Sequence, residues 1–226
     1  APTLGSLIDP TRFENELFAS EFEDVRNTLL EALSIETAGN EARELAIAAR
    51  GLVTAVSILS SRFNLVTTNV PYLGSNKQDY ALRLYCEKFH SDAKADLATC
   101  MIDRCLRFTD HGGTTAVVTK SEPLFLTGYR DFRKRLLKET TWTFLARLGP
   151  RAFETIGGEV VKAALLVLTR DTSNKAHSIA TVDVGQFRTL REKAVGLVER
   201  PLVSISQMNQ FSNPDARILL LDLGKH

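Results

Sequence analysis

Apolar residues recur along the first third of the chain at three- and four-residue steps. Phe13, Leu17, Phe18, Phe22, Val25, Leu29, Leu30 and Leu33 line one face of a helix that Asp9-Pro10-Thr11 would open. The pattern breaks at Thr37-Ala38-Gly39-Asn40 and resumes over residues 41–59, where Leu45, Ala48, Ala49, Val53, Val56 and Leu59 form a second stripe. The period then changes. Residues 63–68 (FNLVTT) are a short β-branched run, which predicts a strand, and Asn69-Val70-Pro71-Tyr72-Leu73-Gly74 ends it. Helices are predicted around 78–89 and 93–108, followed by a turn at Asp110-His111-Gly112-Gly113 and a second strand over 114–119 (TTAVVT). Residues 125–139 read as a helix, 141–148 as a third strand, and 160–169, after Gly157-Gly158, as a fourth.

Strands separated by helices predict an α/β domain with a largely parallel sheet. The link from 149 to 159 is too short for an ordinary crossover helix, so the third and fourth strands are expected to be antiparallel neighbours. Beyond Asp171 the pattern weakens. Residues 179–184 suggest a strand, 186–199 a helix, and 218–223 a strand or a packed extension. The expected organisation is a helical segment over 1–60, a sheet domain over 61–170 and a C-terminal extension over 171–226.

The 226 residues are 44% hydrophobic and 24% charged, enough to bury a core, which excludes disorder, collagen and fibres. A net charge of +1 argues against tail-type binding of nucleic acid, yet it hides a gradient. Residues 1–68 hold five arginines against ten acidic residues, whereas residues 120–151 hold eight basic residues against three acidic ones. The basic block, with Arg130 and Arg133, is either a site for an anionic partner or a solvated helix face. Ala1 to Ser6 show no signal-peptide pattern, and the longest apolar runs, 163–168 and 218–221, are far short of a membrane span. Three cysteines are not a disulfide framework, so the expectation is a cytoplasmic protein without a membrane partner. Cys86, His90, Cys100, Cys105 and His111 lack the close pairing of structural zinc sites, and no metal is expected.

In parallel α/β sheets ligands bind beyond the carboxyl ends of the strands. Asn69-Val70-Pro71-Tyr72 follows the first strand at such a place. The Asn69 side-chain carbonyl and a backbone carbonyl beside Pro71 can each accept a hydrogen bond from an exocyclic amine, drawing its lone pair toward an electrophile. Pro71 limits backbone freedom, and the Tyr72 ring can stack on a base, a contact worth about 1–3 kcal/mol. An Asn-x-Pro turn that merely ends a strand is the alternative.

The segment Val66-Thr67-Thr68-Asn69-Val70-Pro71-Tyr72-Leu73-Gly74 resembles motif IV of amino-group DNA methyltransferases, whose usual form is Asn-Pro-Pro-Tyr/Phe. Lys94-Ala95-Asp96-Leu97 resembles the K-S/A-D-L element that opens the next helix in that family. Gly112-Gly113 with the strand after it, Leu148-Gly149-Pro150-Arg151-Ala152-Phe153 with Gly158-Glu159-Val160-Val161, Asn213-Pro214-Asp215-Ala216-Arg217-Ile218 and Leu4-Gly5-Ser6-Leu7-Ile8 match further family segments. Together they resemble the large single-chain adenine-N6 DNA methyltransferases, which include Type IIG restriction–modification fusions and the methyltransferases of BREX phage-defence systems.

The resemblance implies a partial Rossmann-like class I methyltransferase domain, comprising the last four strands of its sheet with flanking helices. It implies S-adenosylmethionine as cofactor, double-stranded DNA as partner and a flipped-out adenine as substrate. Asn69, Val70, Pro71 and Tyr72 would be catalytic; Tyr72, Asp96, Lys94 and Lys120 would bind substrate; Asn69 would border the cofactor. Asp96 would brace the catalytic loop or cap the helix after it. Cytosine N4 and protein glutamine N5 are alternative methyl acceptors, and a non-catalytic binding or scaffold module is the rival class.

Three departures from the family pattern stand out. Val70 replaces the commonest proline. Lys120 follows the second strand where a Pro-like turn is expected, and would touch phosphate or be solvated. No glycine-rich loop with a following acidic residue precedes Asn69. The expectation is therefore a catalytic-loop half, with the main cofactor site and the target-recognition region outside the chain. An uncovered edge on the strand at 63–68 would permit pairing with a second copy.

Overall fold

The computed structural model describes residues 4–13, 40–153, 161–172 and 176–220. The body of the first predicted helix, the Gly157-Gly158 turn and residues 221–223 lie outside them. The chain divides into two compact units, Ala1–Arg62 and Phe63–His226.

In the first unit, short 3-10 turns at Gly5–Leu7 and Pro10–Phe13 precede helix α1, Asn40–Ser60. Ala49, Val53, Val56 and Leu59, all from the predicted stripe, are half-buried, while Ile47, Leu52 and Ile58 are exposed.

Among the described residues the second unit is built on a mixed, rather than largely parallel, six-stranded sheet in the order β1-β2-β4-β3-β5-β6. Its strands are β1 (Phe63–Asn69), β2 (Thr109–Lys120), β3 (Thr141–Gly149), β4 (Ala163–Thr169), β5 (Ser178–Asp183) and β6 (Val203–Ser206). Two helices cross from β1 to its parallel neighbour β2: α2 (Tyr80–Phe89) and α3 (Leu97–Phe108). Each starts at an aspartate that accepts a backbone N–H, Asp79 from Leu82 at 2.8 Å and Asp96 from Ala98 at 2.9 Å. The predicted turn at 110–113 is instead part of β2. There the pairing jumps from Phe63–Thr109 to Leu65–Thr114, a bulge, and Gly112 and Gly113 bond to Arg170 at the end of β4.

β3 and β4 pair antiparallel, as the short link predicted, and β4 inserts between β2 and β3. Helix α4 (Arg130–Glu139) leads into β3. β5, expected over 179–184, pairs parallel with β3, and β6 pairs antiparallel with β5, so the sheet exceeds the four strands that the family resemblance implied. Helix α5 (Leu190–Glu199) starts with a capping box between Thr189 and Glu192. β6 and helix α6 (Gln207–Ser212) are too short for periodicity to reveal. Residues 218–220 form no strand. Buried Gln207 accepts the Trp142 N–H and donates to the Leu137 and Thr140 carbonyls, tying α6 to the sheet.

The core lies where β3 and β4 meet, with Trp142, Leu145, Ala146, Ala164, Leu166 and Leu168 almost fully buried. Both faces of these central strands carry apolar residues, which is why residues 163–168 read as a continuous apolar run rather than an alternating one. Among the described residues, β1 has a strand neighbour on one side only.

Candidate functional site

The pairing pattern gives β1, β2, β3 and β5 one common direction, so their last residues, Asn69, Lys120, Gly149 and Asp183, share one edge of the sheet. This is the edge at which parallel α/β sheets bind ligands. Gly149 has φ +69°, and a side chain there would run into the backbone of Gly185, so the β3 end must stay bare.

Asn69 is exposed at the end of β1. The Tyr72 hydroxyl donates to its side-chain Oδ1 at 3.2 Å, so the two residues of the predicted pair do meet. Tyr72 is half-buried, and its pKa is raised by burial and then by the Glu122 charge, against the pull of Lys120. Its hydroxyl therefore stays a neutral donor.

Val70 shows what the missing proline changes. Its side chain is 2% exposed, and its N–H donates to the Val118 carbonyl of β2 at 3.1 Å. A proline cannot make that bond. The valine loses ring rigidity but gains a main-chain anchor. Pro71 beside it is exposed. The next residues are stitched to the start of α3. The Leu97 N–H donates to the Leu73 carbonyl at 2.9 Å, the Ser75 N–H to the Ala95 carbonyl at 3.1 Å, and Gly74 forms a β-bridge with Asp96.

Asp96 caps α3 and also meets Lys120, whose Nζ donates to Oδ2 at 2.6 Å. Of the two sequence roles of Asp96, capping is seen directly, and its second oxygen goes to Lys120 on the neighbouring strand. Burial acts to lower the Lys120 pKa, but the Asp96 hydrogen bond and charge outweigh it and raise the pKa overall. Tyr129 and Glu122 complete the cluster electrostatically, and the Tyr129 pKa is raised, by burial first. Sequence reasoning missed these two, since nothing in their spacing marks them. Lys94 is exposed on the turn before α3, and none of the described contacts brings it to this cluster.

The basic block departs most from expectation. Arg133 is held inside the fold. It is 1% exposed, and its guanidinium donates to the carbonyls of Pro123, Leu126, Asp215 and Ala216. Burial pushes its pKa down to about 10, which leaves it charged at neutral pH. Those carbonyls explain the burial, because main-chain acceptors removed from water need donors. Asp215 and Ala216 hold positive φ (55° and 51°) in the clamped segment. Arg135 is likewise engaged internally, by both Asp92 oxygens and by Asp103, which also bonds to His90 at 2.7 Å. Arg130 is exposed and pairs with its neighbour Asp131.

Cys86, Cys100 and Cys105 are free and buried, and burial raises Cys105 to about 11. Among the described residues, no three His, Cys, Asp or Glu side chains come together in a group able to hold a metal ion. No described helix is long and apolar enough to cross a membrane.

Residues 5–153 match the Eco57I restriction-modification methylase family. The adenine-specific methyltransferase PglX of Lacticaseibacillus casei (strain Zhang) is 33% identical over 123 residues, 54% of this chain and 10% of that protein. The adenine-specific methyltransferase BrxX of Escherichia coli O9:H4 (strain HS) is 30% identical over 173 residues, 76% of this chain and 14% of that protein. The chain thus spans a small fraction of the length of both relatives. A nuclease-deletion mutant of the Type ISP restriction-modification enzyme LlaGI, solved in complex with a DNA substrate mimic, aligns with a TM-score of 0.53 at 16% identity. That alignment covers 84% of this chain and 20% of the other, and it shows a shared fold.

Proposed function

Because this chain belongs to the Eco57I restriction-modification methylase family, we propose that the protein carrying it methylates the N6 amine of adenine in DNA, in restriction–modification or phage defence. The observation that carries the reading is the meeting of Asn69 and Tyr72 at the carboxyl end of β1, on a loop anchored from two sides.

The target base would leave the duplex and meet the loop. The Tyr72 ring would stack on it. The Asn69 Oδ1 now accepts the Tyr72 hydroxyl; an incoming amine would take that place as donor. A backbone carbonyl at Val70–Pro71 would accept the second amine hydrogen. Two acceptors on one NH2 increase electron density on nitrogen and orient its lone pair. S-adenosylmethionine, when bound, would supply an electrophilic methyl group on a sulfonium centre, toward which Asn69 and the Val70–Pro71 carbonyl would orient the amine lone pair. Asn69 is the residue of this chain assigned toward the cofactor. The sequence holds no glycine-rich turn before it that would cradle one. Lys94 is assigned to the substrate side, while Asp96 and Lys120 support the loop.

Replacing Asn69 with alanine removes one preorganised acceptor. By analogy with loss of a single oxyanion-hole donor, methylation should fall about 10²–10³-fold. DNA affinity should survive, since phosphate contacts dominate it. Transfer of labelled methyl groups and DNA binding measured in parallel check both halves. Retained methylation by Asn69→Ala would sink the assignment.

A further inference from the structure

Lys120 ends β2, the strand beside the Asn69–Tyr72 loop, and its ammonium reaches the Asp96 carboxylate at 2.6 Å. We propose that Lys120 is a positioning residue for methyl transfer: by neutralising Asp96 it holds the start of α3 against the end of β2, and so fixes the loop that hangs between them. This rests on the function proposed above and replaces a phosphate-contact role for Lys120.

The Asp96 side chain is 2% exposed. A carboxylate so far from water is costly to bury unless charged or hydrogen-bonding partners surround it. One oxygen accepts the Ala98 N–H, and the other accepts Lys120. The main chain on either side of Asp96 carries the loop's far attachments, at Leu73 and Ser75. Its near attachment, the Val70 N–H to the Val118 carbonyl, lies two residues before Lys120. The loop is bracketed by two backbone anchors on different elements, and Lys120–Asp96 is the side-chain tie between those elements. With 19% of its side chain exposed and its ammonium already on a carboxylate, Lys120 is poorly placed to neutralise a phosphate. Its charge also acts on Tyr72 and Tyr129.

Three variants of the protein that carries this chain test the proposal: Lys120→Arg, Lys120→Met, and Lys120→Met combined with Asp96→Asn. Lys120→Arg keeps the tie, and its kcat should stay near wild type. Lys120→Met leaves Asp96 unpaired and should lower both Tm and kcat, the latter about 10- to 100-fold from a misplaced loop. In the double variant the amide at position 96 can still cap α3 but carries no charge. Its Tm should recover while kcat stays low, with KM for DNA and the salt dependence of DNA binding unchanged. Recovery of wild-type kcat along with Tm would show that the pair is only structural, and would overturn the proposal. So would a drop of about one in the salt slope of Lys120→Met, the signature of a lost phosphate contact. Failure of the function itself would look different: Asn69→Ala would keep its activity, while the Tm effects of the Lys120 variants persisted.

Discussion

The loop after β1 and helix α4 are two regions that a reader of the sequence would turn toward DNA, and the fold treats them in opposite ways. The loop is nearly neutral, ends a strand and leaves Asn69 exposed. The helix carries five basic residues, yet Arg133 and Arg135 point inward, one onto four main-chain carbonyls and the other onto Asp92 and Asp103. The difference teaches that a density of positive charge does not by itself mark a nucleic-acid surface. A guanidinium has five donors in a fixed plane, which suits it equally to phosphate oxygens and to a cluster of buried carbonyls. Which use it serves depends on which segments the fold brings against it.

The largest effect belongs to the loop, where loss of the Asn69 acceptor should reduce methylation by about two to three orders of magnitude without a matching loss of stability. Next comes Arg133. Replacement by methionine strips donors from four buried carbonyls and should destabilise the fold by about 3 kcal/mol, read as a lower Tm. DNA binding by the folded fraction should keep its salt slope. If instead the slope fell with Tm unchanged, α4 would belong to the DNA surface and the contrast would fail.

A smaller effect is expected from the Arg135 network under acid. Burial acts to raise the Asp103 pKa, but hydrogen bonds and charge from His90 and Arg135 outweigh it and hold it below the usual carboxylate range. The unfolded state therefore binds its proton first. The stabilisation is complete at neutral pH and is lost as pH falls below the ordinary carboxylate range. Asp103→Asn should be less stable at pH 7 and show a flatter acid limb in denaturant titrations; an unchanged limb would mean the network stores no such stability. The smallest effect is expected at Arg130, exposed beside Asp131. Its replacement by alanine should shift stability by less than about 0.5 kcal/mol. A fall of about one in the salt slope of that variant would return one phosphate contact to the helix.

Legibility varied with the range of the interaction that decides each feature. The stripe of α1, the first three strands and the antiparallel β3–β4 pair were readable, because local periodicity and link length decide them. The residues at 110–113 were not: glycines and Asp-His suggested a turn, and pairing with Arg170 drew them into a bulged strand. β6 and α6 span only 4 and 6 residues, too short to show a period, and depend on the edge offered by β5. In the site, Asn69, Pro71 and Tyr72 were legible as a motif. Tyr129 and Glu122 were not, since they reach Lys120 and Tyr72 only through the fold.

By itself the amino-acid sequence determined the α/β class, the place of the Asn69-Val70-Pro71-Tyr72 loop at a strand end, and the family likeness. These follow from residue order, side-chain type and short-range periodicity. It took the folded arrangement to give Val70 a bond to Val118 in place of ring rigidity, to bring Lys120 to Asp96, and to set Arg133 on buried carbonyls. Each of those outcomes joins residues far apart in the chain. Their energies come from desolvation and from partners that exist only once the sheet has brought the segments together.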